Sequence, residues 1–344
     1  MDTSDKYEIT RGNKVTKGFS IFTIFFIIFL VSTPWWLGRA DIRKITEFLY
    51  ILSLAQMWNL LAGYGGLLSV GQQLFIGIGA YCLVIFAYKL GMDPFMVIPL
   101  AGLVSVLVAL MVSKVAFRLK GAYFAVGTWV LAETFRLLFS NVSWLGGGSG
   151  LSITSTMRGI PTWWRESLTL WFAIFLGIGS VLLVSYLLRS KYGISLTAVR
   201  DSEVASESLG IKVKKVKLMV YLISAFGCGM AGALIFITKL RVSPEAAFSI
   251  DWTAIMFFIV VIGGIGTIEG PIIGTLIYIT MRETLNDFGT WYLIILGLFT
   301  IIIMIKAPQG IWGLIKTRFN NFHLFATKRH VKKKDIVVEE PVNQ

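Results

Sequence analysis

The apolar residues of this chain fall in long runs separated by short polar connections. Phe19–Leu37, Ile45–Leu61, Leu67–Tyr88, Phe95–Val115, Ala122–Ser140, Leu168–Leu188, Val216–Leu240, Trp252–Ile265, Pro271–Met281 and Trp291–Ile305 carry few or no charges. A helical crossing of the hydrocarbon core takes roughly 20 apolar residues. The pattern therefore predicts an all-α, polytopic integral membrane protein with eight to ten transmembrane helices, the last of them short or broken.

Composition agrees with the pattern. With 56% hydrophobic and 15% charged residues, the 344-residue chain has more apolar surface than one soluble core can bury. Cys82 and Cys228 both sit inside apolar runs without CxxC spacing and read as small buried hydrophobes. His323 and His330 lie in the terminal tail, so no histidine is left for chemistry within a span. The first run follows Lys6, Arg11, Lys14 and Lys17, but it is too long for a signal-peptide core and lacks a small-residue cleavage site, so it reads as a retained span.

The formal net charge of +13 brings in orientation rather than nucleic acid, because the cations lie in short runs beside apolar spans. The N-terminus, the Lys114, Arg118 and Lys120 connection, the Arg189 to Lys217 connection and the tail beyond Lys316 are rich in Lys and Arg. The alternate connections hold only scattered cations such as Arg39, Arg43, Lys44, Lys89, Arg158, Arg165 and Arg241. The cation-rich side is the cytoplasmic one by this asymmetry, with both termini on it. The implied organisation is a cytoplasmic tail over 1–18, a membrane domain over 19–306 and a cytoplasmic tail over 307–344, the last polar, basic and then acidic at Glu339 and Glu340.

Glycine is concentrated in two short apolar segments, GYGGLLSVGQQLFIGIGAY from Gly63 and GGIGTIEGPIIGTLIY from Gly263. Paired, interrupted segments in the two halves of a chain mark broken helices along a translocation path, and on this reading Gly63, Gly65, Gly66, Ser69, Gly71, Gln72, Gly263, Gly264, Gly266 and Gly270 line it. The competing reading is that glycine lets helices pack closely. Glu133, with Arg136 three residues on, is the carboxylate furthest inside a span. It either lines the path or is neutralised by Arg136 near the interface. The external connection WLGGGSGLS is either a plain flexible loop with an aromatic belt or a surface for a partner.

The charge-dense stretch RDSEVASESLGIKVKKVK, from Arg200 to Lys217, stands between two spans. Ile194, Ala198, Ala205 and Leu209 stack on one helical face and Arg200, Glu203 and Glu207 on the other, with Leu196 out of pattern. One amphipathic helix over about 194–210 is expected, ended by Gly210 as a left-handed cap. The acids on its polar face gain nothing from an anionic leaflet and suit a protein partner.

This stretch and the span after it resemble the cytoplasmic loop of permease subunits of branched-chain amino acid ABC importers. WNLLAGYGGLLSVGQQLFIGIGAY, FRLKGAYFAVGTWVLAETFRLLFSN, GGGSGLSI, VSPEAAF, VVIGGIGTIEGPIIG and APQGIWGL resemble that family's landmarks in the same order from about Asn59 to Leu314, closest to the LivM-type half of a permease heterodimer. Gln72 and Gln73 depart from a His-Ala pair common there. The resemblance implies that Glu203, Ala205 and Gly210, flanked by Arg200, Asp201, Glu207 and Leu209, seat in a groove of an ATPase subunit. It further implies a second permease chain of LivH type, two ABC ATPase subunits and an extracytoplasmic substrate-binding protein, with Gly146, Gly147, Gly148, Ser149 and Pro244 at the docking surface of the last.

The chain itself lacks a GxxxxGK[ST] loop, and GGIGTIEG has neither its lysine nor its spacing, so no cofactor is expected on this chain and ATP falls to the partner subunits. Three alternatives remain open at this stage. An intramembrane serine hydrolase lacks a base in any span. An ATPase-independent carrier usually needs more intramembrane acids. Urea or short-amide permeases share similar glycine-rich segments, and the acid and arginine in AETFRLLF favour the amino-acid branch over them.

Overall fold

The computed structural model describes residues 7–10, 14–285, 289, 291–318 and 330–333. Lys6, Arg11, His323, Glu339 and Glu340 lie outside the described residues. The chain is built from helices α1 (Lys14–Ser32), α2 (Arg39–Asn59), α3 (Gln73–Cys82), α4 (Pro94–Ala116), α5 (Ala122–Ser140), α6 (Thr162–Arg189), α7 (Lys191–Asp201), α8 (Glu203–Ser208), α9 (Val213–Lys239), α10 (Pro244–Ala247), α11 (Asp251–Gly263), α12 (Gly270–Leu285), α13 (Trp291–Lys306) and α14 (Gly310–Arg318). Two short antiparallel ribbons add to them: β1 (Tyr7–Thr10) pairs with β4 (His330–Lys333), joining the two tails, and β2 (Leu151–Ser152) pairs with β3 (Arg241–Val242).

Among the described residues, seven helical stretches are long and apolar enough to cross a membrane, and two shorter apolar ones, Ile21–Trp35 and Gln73–Lys89, accompany them. The protein is a polytopic all-α membrane protein. Two of the three apolar runs after residue 250 join with neighbours, α10 and α11 making one stretch over Pro244–Gly263 and α13 continuing into α14, whereas the third is the separate helix α12.

Helices α2 and α9 form the interior, with 83% of each apolar window buried, whereas α5 buries 17% and lies at the periphery. In lipid there is little hydrophobic drive between helices, so close van der Waals packing must hold them, and small residues permit it. A methyl carbon placed on Gly79 of α3 would fall 2.1 Å from the Gly229 carbonyl oxygen of α9, so the two backbones meet at a distance only glycine allows.

The bundle has two ends. Helix α2 starts at Arg39, where Arg43 pairs with Glu166 at the start of α6 at 3.1 Å, and it finishes at the level of α7. Phe117, closing α4, packs on Tyr221 near the start of α9 with ring centres 5.4 Å apart, which puts the Lys114 to Lys120 connection at the α7 end as well. The opposite end carries Arg39, Arg43, Arg165 and the β2–β3 ribbon, together with a cluster of Trp35, Trp163, Trp164 and Trp171. The uneven distribution of cations read along the sequence is thus a difference between the two ends of the fold.

Candidate functional site

The first glycine-rich segment breaks the helical ladder in stages. Leu60–Tyr64 continues α2 as a π-helical turn, with the Gly65 amide bonded to the Leu60 carbonyl at 3.1 Å. The chain then unwinds and doubles back into the bundle, where Trp58 Nε1 donates to the Ser69 carbonyl at 2.9 Å and the Val70 amide donates to Thr128 Oγ1 of α5 at 3.2 Å. Helix resumes only at Gln73, so residues 67–72, expected within a span, are irregular backbone. The second segment stops α11 at Gly263 and restarts at Gly270. Thr267 bridges this break, its Oγ1 donating to the Gly264 carbonyl at 2.7 Å and accepting from the Gly270 amide at 3.0 Å.

The two breaks meet. Asn59 donates through Nδ2 to the Thr267 carbonyl at 2.7 Å and accepts through Oδ1 from the Gly266 amide at 2.9 Å, while Gln56 Nε2 donates to the Ile268 carbonyl at 2.7 Å. Side-chain amides of α2 thereby satisfy backbone groups that the broken helix leaves orphaned, as irregular backbone at membrane depth requires. Gly63 fits against this clamp only because it lacks a side chain: an added methyl carbon would lie 2.6 Å from the Gly266 nitrogen.

Arg200, near the end of α7, reaches this junction. Its Nη1 donates to the Gly63 carbonyl at 3.4 Å, and its Nη2 pairs with Asp201 at 2.9 Å. The connection between α6 and α9 is not the single helix expected over 194–210. It folds as α7 and α8, separated at Ser202, whose Oγ caps α8 by accepting from the Ala205 amide at 3.2 Å. The break rotates the faces. Leu196, out of pattern in a single helix, is fully buried together with Val199, whereas Ile194, Val204 and Leu209 are exposed. Gly210 does take the left-handed conformation, at φ +81°. Glu203 forms an ion pair with Lys217 and ties α8 to α9, and Asp201, Ala205 and Glu207 are exposed.

A family profile described as "Branched-chain amino acid transport system / permease component" matches residues 43–305, which contain both breaks and the α7–α8 hairpin. The chain belongs to this family. It is 29% identical over 318 residues, 85% of its own length and 74% of the relative's, to the high-affinity branched-chain amino acid transport system permease protein LivM of Escherichia coli strain K12. It is also 29% identical over 207 residues, covering 56% of itself and 59% of the relative, to a probable branched-chain amino acid transport permease protein LivH of Methanocaldococcus jannaschii. A shorter match, 28% identical over 131 residues and covering 36% and 41%, is to the ribose import permease protein RbsC of Haemophilus influenzae. No solved structure matches the chain. As a member of a membrane permease family it is a transport component and not an enzyme.

The fold of this permease separates the other residues singled out from the sequence. Gly65, Gly71, Gly263, Gly264 and Gly270 are buried against backbone; a methyl carbon on Gly71 would fall 2.1 Å from the Thr128 carbonyl oxygen, and one on Gly263 would fall 1.9 Å from that of Gly270. Close packing accounts for these five, and Ser69 is likewise buried. Gly66 is exposed beside Arg200, and the half-buried Gly266 lies between Arg200 and the Gly63 carbonyl, whose oxygen would be 3.2 Å from an added methyl carbon. Gln72 is fully buried, its Oε1 accepting from Ser224 Oγ at 3.3 Å on α9.

Glu133 lies away from the breaks. Arg136 grips it through Nε at 2.9 and 3.0 Å and also reaches Glu245 at 3.0 Å, a third member of the cluster that spacing along the sequence could not supply. The half-exposed Glu133 and the partly exposed Arg136 sit on the peripheral helix α5. Ribbon β2–β3 brings the stretch containing Gly146, Gly147, Gly148 and Ser149 against the one that follows Lys239. Gly148 and Ser149 are exposed, but Pro244 is buried and presents no surface. Asn59 and Gln56, which make the central clamp, escaped the sequence reading because a polar residue in an apolar run gives no sign of a partner some 200 positions away.

Proposed function

We propose that this permease is one of two membrane-spanning subunits of an ATP-driven importer of branched-chain amino acids, paired with a LivH-like chain. Two ABC ATPase subunits hydrolyse ATP, an extracytoplasmic binding protein delivers the substrate, and the assembly resides in the cytoplasmic membrane of a prokaryote with the α7 end and both tails inside. The relatives named for branched-chain amino acids include one that aligns with 85% of this chain, whereas the ribose permease aligns with 36%, which favours the amino-acid reading.

The observation that carries the reading is the position of α7 and α8. Exposed Val204 and Leu209, ringed by Asp201, Glu203 and Glu207, give a partner both apolar area and charge at the end of the bundle that carries the Lys114 to Lys120 connection and the lysines from Lys212 to Lys217. Arg200, on the same hairpin, touches the junction of the two breaks. A push on the hairpin therefore acts on the place where the α2–α3 and α11–α12 ladders are interrupted, and a discontinuous ladder is the part of a bundle that bends most readily.

The path itself is assigned to the face of α5 that bears Glu133, turned toward the second permease chain. A charged pair exposed at membrane depth is costly against lipid, and a partner protein or a water-filled path removes that cost.

The test is reconstitution of this chain with its partner permease and ATPases in vesicles. Leucine uptake that requires ATP and is lost in the Glu203→Lys, Gly210→Ala double variant supports the reading. Leucine uptake at an unchanged rate with no ATPase present replaces it with an ATPase-independent carrier.

A further inference from the structure

At the end of the bundle opposite α7, helices α2 and α6 and the last turn of α9 enclose a cavity of about 420 Å³. Small-molecule sites run from about 300 to 1,000 Å³. Its wall includes three cations, Arg43, Arg165 and Lys239, and two carboxylates, Glu47 and Glu166, with Ile42 among the apolar residues.

Both carboxylates are already engaged. Glu47 is held bidentately by Arg282 at 2.8 and 2.7 Å and accepts from Tyr50 OH at 3.1 Å. Glu166, 8% exposed, is shared by Arg43 at 3.1 Å and Arg39 at 3.7 Å. Two cations are left over. Neither Arg165 nor Lys239 takes part in an ion pair among the described residues; Lys239 rests on the ring of Trp252 at 4.7 Å, which leaves its ammonium donors unused. Five cations, Arg39, Arg43, Arg165, Lys239 and Arg282, thus stand about two carboxylates, and an excess of positive charge beside an apolar bundle gains by receiving an anion, for which Arg165 and Lys239 supply donors suited to an oxyanion.

We infer that this cavity is a binding site for one oxyanion group, a carboxylate or a phosphodiester, carried on an aliphatic body and held by Arg165 and Lys239. The charged wall takes the oxyanion and Ile42, Ile237 and Leu240 take the aliphatic part. Two sources offer that chemistry, the carboxylate of a free amino acid and the phosphodiester of a membrane lipid. The site stands independently of the hairpin and of ATP.

The experiment uses the full chain in detergent, with leucine and phosphatidylglycerol as separate probes. Thermal unfolding is followed against the concentration of each, and native mass spectrometry counts lipid adducts. Wild type is stabilised by at least one probe. Its apparent affinity falls about tenfold or more in the Arg165→Gln, Lys239→Gln double variant, a change of the size expected for losing charge-assisted contacts. Lys239→Arg, which keeps the charge, retains binding, and Lys89→Gln, which removes a cation outside the cavity, leaves it unchanged. A response to leucine alone identifies the amino acid as the source, and a response to phosphatidylglycerol alone identifies the lipid. No response to either probe, or equal binding by the double variant, overturns the site.

Discussion

The guanidinium of Arg200 donates to the carbonyl of Gly63 at 3.4 Å, joining a helix outside the bundle to the turn at which α2 loses its regular ladder. Gly63 in turn lies against Gly266, so a single side chain bears on both breaks. The path from hairpin to membrane is therefore short, and it runs through backbone rather than through a chain of side chains.

Arg200→Ala removes that contact and leaves α8 and its exposed surface in place. In vesicles containing the assembled transporter, ATP hydrolysis should continue while leucine uptake per ATP falls about tenfold, the effect of losing roughly 1.4 kcal/mol of coupling. Parallel loss of assembly and uptake, measured by co-purification of the ATPase, would count against a role in transmission.

Leu209→Asp acts on the other half of the hairpin. Leu209 is 78% exposed, so the fold loses little, and thermal unfolding should match wild type. Co-purification of the ATPase subunits should be lost, because a buried charge without a partner at an interface is costly.

Asn59→Ala deletes both hydrogen bonds to the second break and leaves the Gly266 amide and Thr267 carbonyl without them. A destabilisation of roughly 3 kcal/mol is expected from the unsatisfied groups, read as a lowered midpoint of thermal or denaturant unfolding in detergent. Asn59→Asp keeps the acceptor for Gly266 but sets a buried carboxylate oxygen against the Thr267 carbonyl, and should lose at least as much.

Gly63→Ala probes the close approach directly. The added methyl would sit 2.4 Å from Asn59 Oδ1 and 2.6 Å from the Gly266 nitrogen, so the clamp must open. Overpacking of this kind costs about 1–3 kcal/mol. Gly18→Ala, where nothing lies within 4 Å, serves as the control and should leave the unfolding midpoint unchanged.

The Glu203–Lys217 pair should contribute little to stability. Glu203 is half exposed, and pairs of that kind are worth about 0–1 kcal/mol. Lys217→Gln should therefore unfold like wild type, and any loss of ATPase binding in Glu203→Lys is then attributable to the surface rather than to the fold.

Much of this molecule was legible in the sequence because membrane helices announce themselves by length and apolar content, and glycine clusters announce where helices stop. Gly210 was readable as a left-handed cap because it follows a short polar helix. Leu196 was misplaced because the 3.6-residue period was carried through Ser202, where the chain changes direction. Along the sequence the connections differ only in their charge, and which of them share an end of the bundle appears only when α2, α6 and α9 are laid side by side.

The sequence by itself determined that the chain crosses a membrane as helices, that glycine is concentrated in two of its apolar segments, and that a charge-dense helical connection stands between two spans; these are local properties, set by hydrophobic runs and by residues that end helices. Only the tertiary structure decided that the two breaks meet through Asn59 and Gln56, that Arg200 reaches their junction, and that Arg165 and Lys239 share a cavity in which neither forms an ion pair among the described residues. Those relationships join residues from about 70 to over 200 positions apart, and no periodicity along the chain encodes which buried amide or cation will find which partner once the helices pack.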